Sequence, residues 1–272
     1  LGPLYAKAPR PLAHCDDPSV LGAPFYLRER VRGVILRPGP PIPLEPDRRR
    51  VVCHALVDAL AELHGLDHER APLSALGHGA GYAGRQVRGW TARYQDARTD
   101  DVPAMERLSA WLGAHLPPEA PAALIHNDYK ADNVVLDPGD LGRVLAVLDW
   151  EMATVGDPLM DLGTSLAYWV DPDDAPGWRA SGFGALTAEA GSLRRFEVAE
   201  RYARATGRDL ARLPFYYAFG LFKVAVIAQQ IYARYRQGHT RDPRFAGLGA
   251  AVAACAEMGS RAAETGRIDR LG

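Results

Sequence analysis

The sequence predicts an α+β fold with a mainly helical body. Three observations carry this: long segments with apolar residues at helical spacing, short apolar strands confined to residues 123–148, and a β-like remnant near the start. The opening segment Tyr5–Val34 is short and marked by prolines, with Gly22-Ala23-Pro24 turning into Phe25-Tyr26-Leu27, and reads as the tail of a small sheet. A loop with five prolines, Arg37–Pro46, follows. Val51, Val52, Ala55, Leu56, Ala59, Leu60 and Leu63 then recur at helical spacing, with Asp47 near the start of the helix. Beyond a glycine-rich loop, Gly77–Gly84, helices are expected at Gln86–Tyr94 and Val102–His115.

At Ala122 the character changes. Ala123-Leu124-Ile125 and Val134-Val135-Leu136 are apolar strands on either side of a polar loop, and the turn Asp137-Pro138-Gly139-Asp140 returns the chain through Val144–Leu148 to Asp149. Helices resume at Leu159–Val170, Ala188–Thr206, Leu213–Arg236 and Arg244–Ala263.

Composition excludes several classes. With 47% hydrophobic and 24% charged residues the chain can build a sizeable core, and 32 basic against 33 acidic residues leave no field to hold a nucleic acid. Cys15, Cys53 and Cys255 are widely spaced and odd in number, which fits a reducing cytoplasm rather than a disulfide framework or a zinc site. Leu1–Arg10 has no charged-then-apolar leader pattern. The most apolar stretch, Phe215–Tyr232, is interrupted by Lys223, Gln229 and Gln230 and reads as a buried helix, not a membrane span. Lys7, Lys130 and Lys223 are the only lysines.

The polar loop reads His126-Asn127-Asp128-Tyr129-Lys130-Ala131-Asp132-Asn133, and the following hairpin ends in Leu148-Asp149-Trp150-Glu151. Phosphoryl transfer to a hydroxyl needs a carboxylate to receive the proton and oxygen ligands to hold Mg²⁺ against the phosphates. Asp128 can be the first, and Asn133 and Asp149 the second. An H-x-D-x-x-x-x-N loop followed by an Asp at the end of the next strand is the arrangement of a kinase catalytic loop and its metal-binding Asp. Lys130 falls where a lysine can meet the transferred phosphate.

On these residues, together with Gly156-Asp157-Pro158-Leu159-Met160-Asp161-Leu162, the chain resembles the aminoglycoside phosphotransferase-like kinases. It is most similar to the branch resembling the kinase domain fused to some acyl-CoA dehydrogenases. Gly22–Tyr26, Leu63-His64-Gly65-Leu66-Asp67, and Gly81-Tyr82 with Gln86 and Trp90 add weaker support. The resemblance implies a protein kinase-like, two-lobed fold with ATP in the cleft between lobes. Residues 1–33 would be the remnant of the small lobe and hinge, and 34–272 a helical lobe with the catalytic loop and metal-binding hairpin. Asp128 would be the base, with Lys130 beside it and His126 bracing the loop; Asn133 and Asp149 would hold Mg²⁺. Asp161 would hold the catalytic loop in shape, and backbone groups near Glu29 and Val31 would read adenine.

A complete kinase also has a glycine-rich strand pair, a lysine and a glutamate-bearing helix before the hinge. About two dozen residues cannot hold all of these at ~3.3 Å per strand residue, so the front of the small lobe is expected to be missing here. Lys7 reads as an exposed surface lysine rather than the phosphate-pairing one. Gly79–Gly84 matches G-x-G-x-x-G, yet it follows a helix and lies downstream of the hinge, so it reads as a loop. His64, His68 and His78 have no tight metal spacing and read as surface or capping residues. Asp157-Pro158 reads as a helix N-cap followed by proline in the first turn.

The function expected is an ATP- and Mg²⁺-dependent small-molecule O-phosphotransferase acting on a metabolite hydroxyl, with a hydroxyacyl thioester as one acceptor that the resemblance suggests. Antibiotic-binding members carry an acidic C-terminal half. Here Arg194, Arg195, Arg201, Arg204, Arg208 and Arg212 make it basic in places, which suits an anionic acceptor or solvated helix faces equally. The alternative is a truncated, catalytically silent kinase-like module that binds a nucleotide or a partner.

Overall fold

The computed structural model describes the chain except residues 1–3, 38–43, 71–72, 74–75, 78, 184–185 and 272. Most of the proline-rich loop and His78 therefore lie outside the described residues. Strands β1 (Pro11–Cys15) and β2 (Phe25–Arg28) form an antiparallel hairpin around a short helix α1 (Pro18–Leu21), which is capped by Asp17 and closed by Gly22 at φ 83°. The β-like remnant expected from the sequence is this hairpin. Leu12, Leu21, Tyr26 and Leu27 on it are exposed.

The chain before the hairpin is docked on the large body. Tyr5 is buried and donates its hydroxyl to Ala59 O at 3.2 Å. The N–H of Val147 donates to Lys7 O at 2.8 Å. Lys7 is not the exposed lysine that the sequence suggested: it is partly buried, pairs with Glu62 and lies over the Tyr5 ring. After β2 the chain crosses to the body through Gly33, where a Cβ would stand 2.5 Å from Leu136 O, and Val34 bridges Leu136.

Helix α2 (Pro46–His64) follows, with ten buried residues on its inward side. Helices α3 (Tyr82–Ala97) and α4 (Pro103–Ala114) come next, each close to its expected position. Two small antiparallel sheets then carry the polar loop. Strand β3 (Ala123–Ile125) pairs with β6 (Thr154–Gly156), and β4 (Val134–Leu136) pairs with β5 (Val144–Val147). Strand β6 has no counterpart in the sequence reading. With only three residues it shows no alternation of its own and exists because β3 needs a hydrogen-bonding partner.

Helix α5 (Pro158–Ala167) begins at Asp157, whose side chain accepts from the N–H of Leu159 at 2.8 Å. A short helix α6 (Pro176–Arg179) precedes α7 (Arg195–Thr206), α8 (Leu213–Arg236) and α9 (Leu248–Thr265). The helix expected from Ala188 starts seven residues later. Gly191, at φ 88°, lies against the Pro46 backbone with no room for a Cβ, and α7 opens where the Glu197 carboxylate accepts the Arg194 N–H at 2.7 Å.

The core is centred on α8. Its segment Phe215–Val226 is buried all round, which is why it reads as the most apolar stretch of the chain. Among the described residues no helix is long and apolar enough to cross a membrane. Helix α5 crosses α8 at a glycine on each side. A Cβ on Gly163 would collide with the Tyr216 carbonyl, and one on Gly220 with the Gly163 carbonyl, so the two backbones touch.

Candidate active site

The polar loop between β3 and β4 is anchored from below by one carboxylate. Asp161, on the first turn of α5 and fully buried, accepts the N–H of His126 at 2.7 Å through Oδ2 and that of Asn127 at 2.9 Å through Oδ1. His64, at the end of α2, approaches the same Oδ2 with Nε2 at 3.1 Å, and its Nδ1 meets the Tyr202 hydroxyl at 2.7 Å. Burial works against the charge on Asp161, but the bonds from His64 and the neighbouring His126 hold its carboxyl below the usual range. Asp161 therefore shapes the loop, as expected. His64 corrects the sequence reading: it is a buried partner of Asp161 rather than a surface or capping residue.

His126 braces the loop at both ring nitrogens. Nε2 meets Leu148 O at 2.7 Å, and Nδ1 accepts the Asp128 N–H at 3.2 Å. Its ring is also packed against Trp150, with centroids 5.0 Å apart. Asn127 adopts a left-handed conformation, φ 66°, with Nδ2 donating to Met152 O and Oδ1 accepting from the Tyr82 hydroxyl. Its carbonyl accepts from Lys223 Nζ at 2.6 Å.

Asp128 sits above this platform, partly exposed. Lys130 Nζ donates to both carboxylate oxygens, at 2.9 and 2.7 Å, and Asn133 Nδ2 donates to Asp128 O at 2.9 Å and Oδ2 at 3.2 Å. The Tyr168 ring lies 4.8 Å from the Lys130 ammonium, and its hydroxyl faces the Asp128 carboxylate. Asp149, at the end of β5, takes a left-handed φ of 67° and is exposed. Its side chain forms no hydrogen bond among the described residues.

Asn133 and Asp149 offer a donor set that fits Mg²⁺. The Asn133 amide nitrogen is turned to Asp128, which leaves its oxygen as a ligand, and Asp149 supplies an unengaged carboxylate. Among the described residues no three His, Cys, Asp or Glu side chains gather as a closed metal cage. Two protein oxygens completed by phosphate and water is the usual arrangement for this ion.

Glu29 and Val31 lie just beyond β2. The Glu29 N–H is donated to Arg10 O at 3.0 Å and its side chain accepts the Arg10 N–H, so the carbonyl is the backbone group it has left for a ligand. Five of the six arginines singled out in the C-terminal half have partners within the chain. Arg195 is buried against Asp171 and Asp174, Arg201 grips both oxygens of Asp58 at 2.7 Å, Arg194 pairs with Asp173, Arg204 with Glu200, and Arg208 donates to the carbonyls of Pro121 and His64.

A cavity opens beside Lys130 and Tyr168. Leu56 and Leu60 of α2, Leu162 and Leu166 of α5, and Phe183 make its wall apolar, while Arg37, Lys130 and Asp132 stand among its lining residues as the charged groups. Ser165 also lines it, with a buried Oγ that has no hydrogen-bond partner among the described residues. None of this was visible in the sequence, because the described lining residues come from six separate segments.

The model of a family described as phosphotransferase enzymes matches residues 1–216. The chain belongs to this phosphotransferase family. A solved chain from Ralstonia eutropha JMP134, assigned as an aminoglycoside phosphotransferase, superposes with a TM-score of 0.82 at 31% identity, covering 97% of this chain and 80% of that one. A thermostable mutant of an aminoglycoside phosphotransferase, solved with AMP-PNP and hygromycin B, gives a TM-score of 0.61 at 16% identity over 97% of this chain and 80% of its own. That second likeness is one of fold. Together they make the α+β architecture of this phosphotransferase kinase-like and two-lobed. Similar proteins include human acyl-CoA dehydrogenase family member 11, 39% identical over 85% of this chain and 30% of that protein. Mouse acyl-CoA dehydrogenase family member 10 is 36% identical over 92% of this chain and 23% of its own length. The phosphotransferase chain thus spans less than a third of these relatives.

Proposed function

We propose that this chain is an ATP- and Mg²⁺-dependent O-phosphotransferase whose base is Asp128. The observation that carries the reading is the setting of Asp128: a partly exposed carboxylate on a loop anchored from beneath by Asp161, bonded by Lys130 and Asn133, with Lys130 also lining an apolar cavity. In this reading Asp128 orients the acceptor hydroxyl and takes its proton as that oxygen bonds to the γ-phosphorus of ATP, while the bond from that phosphorus to the bridging oxygen breaks and ADP leaves. Lys130 exchanges its partner from Asp128 to the phosphoryl oxygens, stabilising charge where it develops. Asn133 and Asp149 would hold Mg²⁺, which would supply neutralisation of phosphate charge. His126 keeps the loop in place. The Glu29 carbonyl and the Val31 N–H, two residues apart on one edge, are suited to an adenine donor and acceptor, with residues 1–33 acting as the part of the small lobe present here.

The cavity favours an acceptor with an apolar body. A hydroxyacyl thioester fits better than an aminoglycoside: its chain can lie against Leu56, Leu60, Leu162 and Leu166, and its carbonyl can accept from the unpartnered Ser165 Oγ. The family membership and the intact loop favour this enzyme over a silent binding module. The test is calorimetric titration with Mg²⁺-ATP, followed by an acceptor screen of hydroxyacyl thioesters and aminoglycosides read by mass increase of the acceptor. Phosphorylated hydroxyacyl product from the wild type and none from Asp128→Asn is the expected result. Transfer to aminoglycosides alone would refute the acceptor assignment, and no nucleotide binding by the folded chain would refute the enzyme.

A further inference from the structure

Lys223 lies in the most apolar part of α8, 1% exposed, and its ammonium lies 5.4 Å from the centre of the Trp90 ring. It donates to the Asn127 carbonyl at 2.6 Å. Every other polar group of Asn127 is already engaged: the N–H by Asp161, the amide nitrogen by Met152 O and the amide oxygen by Tyr82. The next N–H along the chain, that of Asp128, is accepted by His126 Nδ1 at 3.2 Å. The peptide plane between Asn127 and Asp128 is thus held from both sides, its carbonyl by Lys223 and its N–H by His126. That plane follows a left-handed asparagine, φ 66°, a conformation that relaxes unless its surroundings enforce it.

We propose that Lys223 is a positioning residue for phosphoryl transfer: by holding the Asn127 carbonyl it fixes the peptide plane ahead of Asp128 and hence the aim of that carboxylate. It does this through the backbone, from beneath the loop. The inference rests on Asp128 being the base. A neutral donor could make the same hydrogen bond, but the cation also offsets the two carboxylates beneath the cleft. The charged groups facing it are Asp161 from α5, Asp128 and Lys130 from the loop, and Arg93 from α3. Burial pushes the Lys223 ammonium down to about 8, so its charge is lost within an accessible pH range.

The experiment compares the wild-type chain with Lys223→Met and Lys223→Arg. Mg²⁺-ATP alone is the probe, with transfer to water read as ADP release from pH 6 to 9.5, and amide hydrogen exchange is followed over residues 126–133. For Lys223→Met the expected result is ATP affinity within about twofold of wild type, ADP release lower by about tenfold to a hundredfold, and faster exchange confined to the loop. Lys223→Arg recovers part of the rate and, staying charged, lacks the alkaline decline near pH 8 that the wild type shows. Unchanged ADP release and unchanged loop exchange in Lys223→Met would overturn the proposal. So would a joint loss of melting temperature, ATP affinity and rate that arginine fails to repair, since that is the mark of a structural lysine. If the methionine variant does not fold, a wild-type profile flat through pH 8 together with full activity in Lys223→Arg overturns it. If the wild type releases no ADP, the phosphotransfer reading fails, and the exchange comparison alone still judges whether Lys223 holds the loop.

Discussion

Lys130 and Asp128, two residues apart on one loop, are joined through both carboxylate oxygens at 2.9 and 2.7 Å. A lysine so placed offsets the Asp128 charge and is within reach of whatever anion arrives beside it. Lys130→Met should leave ATP affinity within about twofold and lower turnover by about 10²-fold, the scale of losing one charge-stabilising donor. ADP release under saturating Mg²⁺-ATP is the measurement. Unchanged turnover would assign the lysine to resting-state stability alone.

Asp128→Asn keeps the shape of the loop, because the Asn133 amide still finds Asp128 O, but it removes the proton acceptor. Nucleotide binding by calorimetry should be nearly unchanged while transfer falls by about 10²–10⁴-fold. Retained transfer would move the base elsewhere.

Asp149→Ala and Asn133→Ala should part company. Asp149 forms no hydrogen bond among the described residues, so its loss should abolish the Mg²⁺ dependence of ATP binding and lower the melting temperature only by the cost of holding alanine at φ 67°. Asn133 also orients Asp128 through Nδ2, so its alanine variant should lose turnover in addition to metal-dependent binding. Titrations with and without Mg²⁺ separate the two.

Asp161→Asn removes a charge that two backbone N–H groups and His64 all address. One oxygen of the new amide is replaced by a donor that faces another donor, and the cost should be about 3–5 kcal/mol at pH 7 by urea unfolding. Asp161 has a folded-state pKa below its unfolded value of roughly 3.9. It therefore binds fewer protons folded than unfolded, and its contribution is present at neutral pH and lost as pH falls through the depressed value. The gap between wild type and Asp161→Asn should accordingly narrow below about pH 4. A gap that widens on acidification would contradict the sign.

The loop's place in the fold was legible in the sequence because its residues are consecutive: His126 to Asn133 form a polar block between two apolar strands, and Asp149 follows the next one. The Asp157 cap and the helical span of α8 were legible for the same local reason. The partners that hold the loop were not. His64 lies far from Asp161 in sequence, and nothing around it says that α2 ends beneath the loop. Lys223 could be read as a buried group needing a partner, yet the partner is a carbonyl, and a carbonyl carries no sequence signal. The missed strand β6 and the overlong α7 fail alike, through tertiary contacts: β3 in one case, the Pro46 backbone against Gly191 in the other.

The glycine crossing of α5 and α8 has a consequence for how this scaffold can diversify. Asp161 is on one of these helices and Lys223 on the other, so the two groups that grip successive peptides of the loop move as one body. Gly220→Ala, which forces the helices apart, should destabilise the protein by about 1–3 kcal/mol in urea unfolding. It should also displace both grips together. Part of the cavity wall faces no such restriction: although Leu162 and Leu166 belong to α5, Phe183 and Leu186 come from a segment outside both helices, and Leu56 and Leu60 from a third helix. On the proposed function, substitutions at those positions change which acceptor is admitted while the loop stays in register. The fold would thereby separate inheritance of a reaction from choice of a substrate.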